Sequence, residues 1–343
     1  MGVRETDKDQ GLLIDPKLAQ NYEKPANTVY KINNLPFYIV VALPKQAKSI
    51  SGNYEVDFFN KSLPDKPKDS YRAVYNVFEN IIPGIVENDF EIFVKAMNEN
   101  VKLGLKSLEE NIQSDETKMT LMELRNNFGF AAVSSLGPSL FAFSKNNPSE
   151  IIRKISAQNY NFWVYSPDGK VKRKINDDES ILIASFACLG KTTFAKENPS
   201  IAADLESIHY AREYENKKID DEVAKCDEKF VANKNYPVNY VDDIEHYIGK
   251  KKIIFLTTAV DALSELDRRK IKYIILYPSK KRKEQILRDA KKRGNDQKFV
   301  EMLDKMLSTE KHLNSFLNLN YEKLKTIEDD RYMDEYIRED FIL

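Results

Sequence analysis

Hydrophobic positions along the chain change period several times. "FYIVVALP" (37–44) is a continuous apolar run closed by Pro44, the pattern of a buried strand. From Tyr71 the spacing lengthens. Phe90, Phe93, Val94 and Met97 fall at i, i+3, i+4 and i+7, one apolar face of a helix. "GFAAVSSLGPSLFAFSKN" (129–146) sets a small-residue turn between apolar flanks, and "NYNFWVYSPDG" (159–169) reads as a strand. This order of elements predicts an α+β domain over 37–168, preceded by an irregular segment, 1–36, in which only "GLLID" is strand-like. "SPDGKVKRKINDDES" (166–180) combines turn formers with charge and predicts a linker, placed at 169–179.

Beyond residue 180 short apolar runs alternate with helical patterns. "SILIASF", "SIAADLES", "KKKIIFLTTA" and "KYIILYPS" read as strands. "KTTFAKEN", "VNYVDDIEHYIG" and "VDALSELDRRK" read as helices between them. Continuous apolar strands separated by helices are what a parallel sheet covered on both faces requires. The expected architecture is therefore two-domain α/β, with an α+β domain followed by a parallel-sheet domain at 180–328. Phe299, Met302, Leu303 and Met306 are expected to face its core, and 329–343 forms an acidic, aromatic tail.

A length of 343 residues suits two domains. With 53 basic and 54 acidic residues, whole-molecule attraction to nucleic acid or membrane is not implied, so such binding needs a local patch. Two cysteines, Cys188 and Cys226, build no disulfide framework. No apolar run reaches membrane-spanning length, and a cytoplasmic protein without membrane partners is expected. His209, His246 and His312 are isolated and read as structural.

The chemistry concentrates in "ILIASFACLGKTTFAKENPSIAADLES" (181–207). In a G-x-x-x-x-G-K-[ST] loop, backbone N–H groups curl around phosphate oxygens at a helix N-terminus. Gly190, Lys191 and Thr192 match, Leu189 and Thr193 flank them, and Ser185 stands where the first glycine is usual. Lys191 is placed to reach β- and γ-phosphates, and the Thr192 hydroxyl to hold Mg²⁺. Serine in place of glycine predicts an altered turn. Asp204 and Glu206, two apart, share one face of a strand. At the C-terminal edge of a parallel sheet they either orient a metal-bound water and an acceptor hydroxyl, or are solvated loop-end acids. "YPSKKRKEQILRDAKKRGNDQKF" (277–299) carries Arg288 and Arg293 among many lysines; at helical spacing Lys281, Arg288 and Lys292 form one stripe, with Ile286 and Ala290 on the opposite side. It reads as a lid over transferred phosphate, a solvated basic face, or a nucleic-acid backbone patch.

"GKTT", the following "D-L-E-S" and the late "YPS…RGN…F" make residues 180–320 similar to P-loop nucleoside and nucleotide kinases of viral and phage type. That resemblance implies ATP- and Mg²⁺-dependent phosphoryl transfer to a nucleoside, nucleotide or similar small acceptor. It assigns Gly190, Lys191 and Thr192 to ATP, Asp204 to the acceptor or metal (with Glu206 as the further metal candidate), and Arg288 and Arg293 to the lid. "VENDFEIFVKAMNE" and "AAVSSLGPSLFAF" resemble the C-terminal half of GHMP-type small-molecule kinases, especially the β-ribofuranosylaminobenzene 5′-phosphate synthases. This implies a GHMP-kinase C-domain-like fold for 37–168, with Ser134, Ser135, Gly137 and Pro138 near a substrate or phosphate. Residues 1–36 are too short to hold that family's N-terminal half. Three functions follow: a phosphotransferase, a non-catalytic binding or assembly protein that homo-oligomerises through its first domain, or a polynucleotide end kinase.

Overall fold

A computed structural model of the chain describes residues 11–14, 28–32, 35–46, 57–58, 61, 67–104, 106–214 and 230–343. Cys226, most of the segment 1–36 and much of the loop 49–70 lie outside the described residues. The chain divides into two compact units, Met1–Lys174 with Asp340–Ile342, and Ile175–Glu339 with Leu343. Both mix helices and sheet.

In the first unit β1 (Gly11–Ile14) and β2 (Thr28–Ile32) pair as an antiparallel ribbon. The main sheet is built around β3 (Tyr38–Pro44), with β4 (Ala131–Val133), β5 (Leu140–Ser144), β6 (Tyr160–Tyr165) and β7 (Val171–Lys174) in the order β7-β6-β3-β5-β4. All these pairings are antiparallel. Strand alternation divides the apolar residues between two faces. Val40 and Ala42 pack with Phe162, Val164 and the helix residues Leu121 and Leu124 on one face. Phe37, Phe130 and Phe143 pack with Phe93 on the other. The helical stripe beginning at Phe90 supplies that second face, with the Phe93 ring 5.0 Å from Phe37 and 4.9 Å from Phe143. Asp89 caps this helix (Phe90–Asn100) by accepting the Ile92 N–H at 3.0 Å.

The segment expected as a linker is half sheet. Ser166–Lys170 is a tight turn, closed where the Ser166 N–H donates to the Lys170 carbonyl at 2.8 Å, and Val171–Lys174 follows as β7. "VKRK" has no apolar alternation to announce a strand. Its pairing rests on backbone hydrogen bonds, as is common for charged strands toward a sheet edge.

The second unit contains β8 (Ile181–Ser185), β9 (Ala202–Asp204), a hairpin of β10 (Arg212–Tyr214) and β11 (Phe230–Ala232), β12 (Ile253–Leu256), β13 (Ile274–Pro278) and β14 (Lys323–Ile327). Five of these form a wholly parallel sheet in the order β9-β12-β8-β13-β14. All of β12 is buried, as a sheet covered on both faces demands. β14, "KLKTI", has a mostly uncovered, polar pattern and was not expected. The helix Gln297–Ser308 also differs from expectation. It buries Val300, Leu303 and Leu307, while Met302 is exposed and Phe299 and Met306 are half-buried, so the core stripe is rotated around the helix.

The acidic tail is packed structure. Helix Met333–Asp340 buries Met333, Tyr336 and Ile337, and β15 (Phe341–Ile342) then lies parallel beside β7 as the sixth strand of the first unit's sheet. Among the described residues no helix is long and apolar enough to cross a membrane.

Candidate functional site

From β8, the middle strand of the parallel sheet, the chain passes to β9 at one edge, and from β12 it crosses over β8 to β13. The connections therefore diverge around the C-terminal end of β8, the crevice where open α/β sheets bind ligands. The loop Phe186–Gly190 starts there and opens helix Lys191–Glu197.

Ser185 is buried and ends β8 in extended backbone, where a Cβ atom carries no penalty. The left-handed residues come later, at Cys188 (φ 60°) and Gly190 (φ 93°). The Cys188 thiol is buried, and burial raises its pKa while the nearby Arg293 charge opposes. Leu189 is buried and Thr193 exposed.

Lys191 is only 9% exposed, and its Nζ donates to the Ser185 carbonyl at 3.1 Å. Lys191 thus folds back across its own loop, with its charge acting on the Asp204 carboxylate. The Thr192 hydroxyl donates to Asp204 Oδ2 at 2.7 Å, while Asp204 Oδ1 is shielded from solvent and without a partner. Burial raises the Asp204 pKa, the Lys191 charge opposes, and Glu206, itself exposed, reinforces the rise. Tyr240 fixes this strand end from below. Its hydroxyl donates to the Leu205 carbonyl at 2.8 Å and accepts the Thr257 N–H at 3.0 Å, tying the end of β9 to that of β12.

The basic segment divides in two. Lys280, Lys281 and Lys283 pair with Glu310, Glu328 and Asp304 at 2.9, 2.8 and 2.5 Å, so its first turn is neutralised. Arg288 and Arg293 are exposed, and Arg293 is close enough to act electrostatically on both Cys188 and Asp204. Gly294, at φ 80°, ends the helix Lys283–Lys292.

Two elements at this site escaped the sequence reading. Arg282 is buried, and Tyr332 and Met333 close on the loop: the Met333 N–H donates to the Leu189 carbonyl at 3.0 Å, and the Tyr332 side chain lies beside Gly190. Arg282 shares i, i+4, i+8 spacing with the buried Ile286 and Ala290, a signal present in the sequence but hidden among flanking cations.

In the first unit Ser134 and Ser135 are exposed on the turn between β4 and β5, and Ser135 is left-handed (φ 53°). Gln113 Nε2 donates to the Leu136 and Glu109 carbonyls, both at 2.8 Å, and the Tyr160 hydroxyl reaches the Pro138 carbonyl at 3.4 Å. Gly137 (φ 75°) packs directly on Gln113. The turn is thus held rigidly with two serine hydroxyls outward.

No protein-family model matches the chain. It is similar to β-ribofuranosylphenol 5′-phosphate synthases: 29% identical over 128 residues to that of Methanocaldococcus jannaschii, covering 37% of this chain and 38% of the relative. Similarity to the Archaeoglobus fulgidus protein is 29% over 132 residues, 38% of this chain and 41% of the relative. For Methanothermobacter thermautotrophicus it is 28% over 115 residues, 33% and 35%. The chain thus spans about two fifths of the length of these curated relatives. The similarity supports the resemblance seen in the N-terminal part. Among solved structures, homoserine kinase from Cytophaga hutchinsonii aligns at 15% identity and a TM-score of 0.29, covering 40% of this chain and 44% of that one, a likeness too distant to carry an argument.

Proposed function

We propose that the Ile175–Glu339 unit is an ATP- and Mg²⁺-dependent phosphotransferase acting on a nucleoside, nucleotide or similar small acceptor. One observation carries this reading: at the end of a central parallel strand, a phosphate-loop threonine holds one oxygen of Asp204 and leaves the other buried and unpartnered. A desolvated carboxylate oxygen without a protein donor is costly, and a bound substrate hydroxyl, ion or water would offset that cost.

The donors suit Mg²⁺. The Thr192 hydroxyl and the Glu206 carboxylate are hard oxygens that would hold the ion, which leaves Asp204 Oδ1 for the acceptor, and Mg²⁺ is typically held by one or two carboxylates together with substrate phosphates. When bound, the ion supplies charge neutralisation on phosphate oxygens. The chain's own residues do the rest. Lys191 exchanges the Ser185 carbonyl for β- and γ-phosphate oxygens, and loop N–H groups from Leu189 to Thr193 cradle them. Asp204 orients the acceptor hydroxyl and accepts its proton, and Arg288 and Arg293 neutralise charge on the transferred group. In the first unit, we read the 134–138 turn as a ligand contact on a GHMP-like half-domain related to the synthases.

Thermal unfolding tests this. ATP with Mg²⁺ well above its dissociation constant raises Tm in the wild type, and Lys191→Ala abolishes the rise. An unchanged rise in that variant refutes the reading.

A polynucleotide end as acceptor is the second reading. It is favoured by Arg288, Lys291, Lys292 and Arg293, which are all exposed and outside the ion pairs that neutralise the preceding turn. Salt-dependent binding to an oligonucleotide, lost on neutralising Arg288 and Lys292, distinguishes it.

A further inference from the structure

Arg282 stands first by size among the fully buried side chains described, at 1% exposure. One nitrogen is satisfied: Nη1 donates to the Arg331 carbonyl at 2.6 Å. Nε and Nη2 are buried and have no partner. These two N–H groups lie on one edge of the guanidinium, the fork that grips an oxyanion through two parallel hydrogen bonds. A buried cation is expected to be paired, and an open fork on a buried cation has the shape of its missing counter-ion.

The neighbours agree in chemistry. Arg282 is the residue immediately before helix Lys283–Lys292, whose first N–H groups carry the positive end of the helix dipole. The Ser279 hydroxyl, in the same turn, is buried without a partner and offers a further donor. Gln285, three residues on, has its Oε1 buried and unpartnered, an acceptor for the hydroxyl of a hydrogen phosphate. The cover is Tyr332. Its ring centroid is 5.6 Å from the guanidinium carbon, its hydroxyl donates to Asp289 at 2.9 Å and accepts from Gln285 Nε2 at 3.2 Å, and the residue is 41% exposed.

We propose that Ser279, Arg282 and Gln285 form a binding site for a phosphate-type oxyanion, covered by the Tyr332 ring. Its cover, Tyr332, also lies beside Gly190 of the Lys191 loop, but the fork is made by other residues and its existence does not depend on the phosphotransferase reading. The oxyanion is either free phosphate or a phosphate of a larger ligand.

The test measures Tm and equilibrium binding of the full chain with inorganic phosphate, at ionic strength held constant with chloride, and in parallel with ATP–Mg²⁺. In the free-phosphate case, phosphate stabilises the wild type and Lys191→Ala alike. Arg282→Met removes the effect, Arg282→Lys, which keeps the charge but not the fork, weakens binding about tenfold or more, and Tyr332→Ala tightens it. If the oxyanion belongs to the nucleotide, inorganic phosphate has no effect, but Arg282→Lys weakens ATP–Mg²⁺ binding to a similar degree. Circular dichroism of the lysine variant establishes that it folds should the methionine variant fail to. The proposal is overturned if Arg282→Lys binds both ligands as the wild type does, or if the phosphate effect disappears in Lys191→Ala and persists in Arg282→Lys. Loss of the ATP response in Lys191→Ala bears only on the nucleotide reading.

Discussion

Replacing Gly137 by alanine tests whether the 134–138 turn is as rigid as its contacts require. Gly137 has φ 75°, a region that costs an L-residue about 1–2 kcal/mol. The added Cβ also lies against Gln113 Oε1, 2.8 Å from Gln113 Cδ and 2.6 Å from Val133 Cγ1. Gln113 cannot yield cheaply, because it is buried and its Nε2 satisfies the Glu109 and Leu136 carbonyls. Displacing it forfeits two hydrogen bonds at about 1 kcal/mol each. The expected cost is therefore about 3–4 kcal/mol, roughly half from backbone conformation and half from Gln113. Urea unfolding of wild type, Gly137→Ala, Gln113→Ala and the double variant measures each part. With Gln113 already truncated, Gly137→Ala should cost about 2 kcal/mol less, because the φ penalty and the Val133 contact remain while the two Gln113 hydrogen bonds are no longer at stake. A cost below 1 kcal/mol in the wild-type background, or the same cost in both backgrounds, refutes the reasoning.

Asp204→Asn removes a desolvated charge whose Oδ1 is orphaned. The ligand-free protein should be no less stable, gaining up to about 1 kcal/mol, yet its Tm should no longer respond to ATP–Mg²⁺; calorimetry in both conditions checks the pair. Gly190→Ala meets only ordinary contacts, the nearest 3.4 Å away at the Tyr332 Cβ, so its cost of about 1–2 kcal/mol should come from φ 93° alone. Substituting Tyr332 in addition should not relieve it. His312 packs among Phe186, Tyr277 and Phe316, and burial lowers its pKa below the ordinary 6.5. Its depressed folded-state value contributes stability above the unfolded pKa that is lost as pH falls through the folded one. His312→Gln should flatten that part of the stability profile below about pH 6.5, measured by urea midpoints.

The strands legible in the sequence were those rich in apolar residues, among them β3, β6 and β9 as well as the most deeply buried. β8, β12 and β13 are continuous apolar runs because no polar residue fits between two layers of helices. β7 and β14 were not legible, since strands with exposed faces carry lysines and arginines and depend on backbone pairing that leaves no mark on side-chain type. At the candidate site, Gly190, Lys191 and Thr192 stood out by motif, and Asp204 by its two-residue spacing from Glu206. The bond between Thr192 and Asp204 required knowing that β9 ends beside the loop. The basic run misled in a physical way. Lys280, Lys281 and Lys283 are balanced by acids from elsewhere in the chain, while Arg282 among them turns inward unbalanced. Charge counted along a sequence cannot reveal charge cancelled across space.

β15 gives the molecule an order of assembly. The first unit's sheet takes its sixth strand from residues that follow the whole parallel-sheet unit, so Phe341 and Ile342 meet Arg173 and Lys174 across the longest interval in the topology. During synthesis, β7 emerges early and keeps an unpaired edge while the second unit is made and folds. A nascent chain in that state presents a free strand to any neighbour on the same polysome. The charged sequence "VKRK" is suited to that waiting period, because lysine and arginine discourage edge-to-edge pairing until the proper partner arrives.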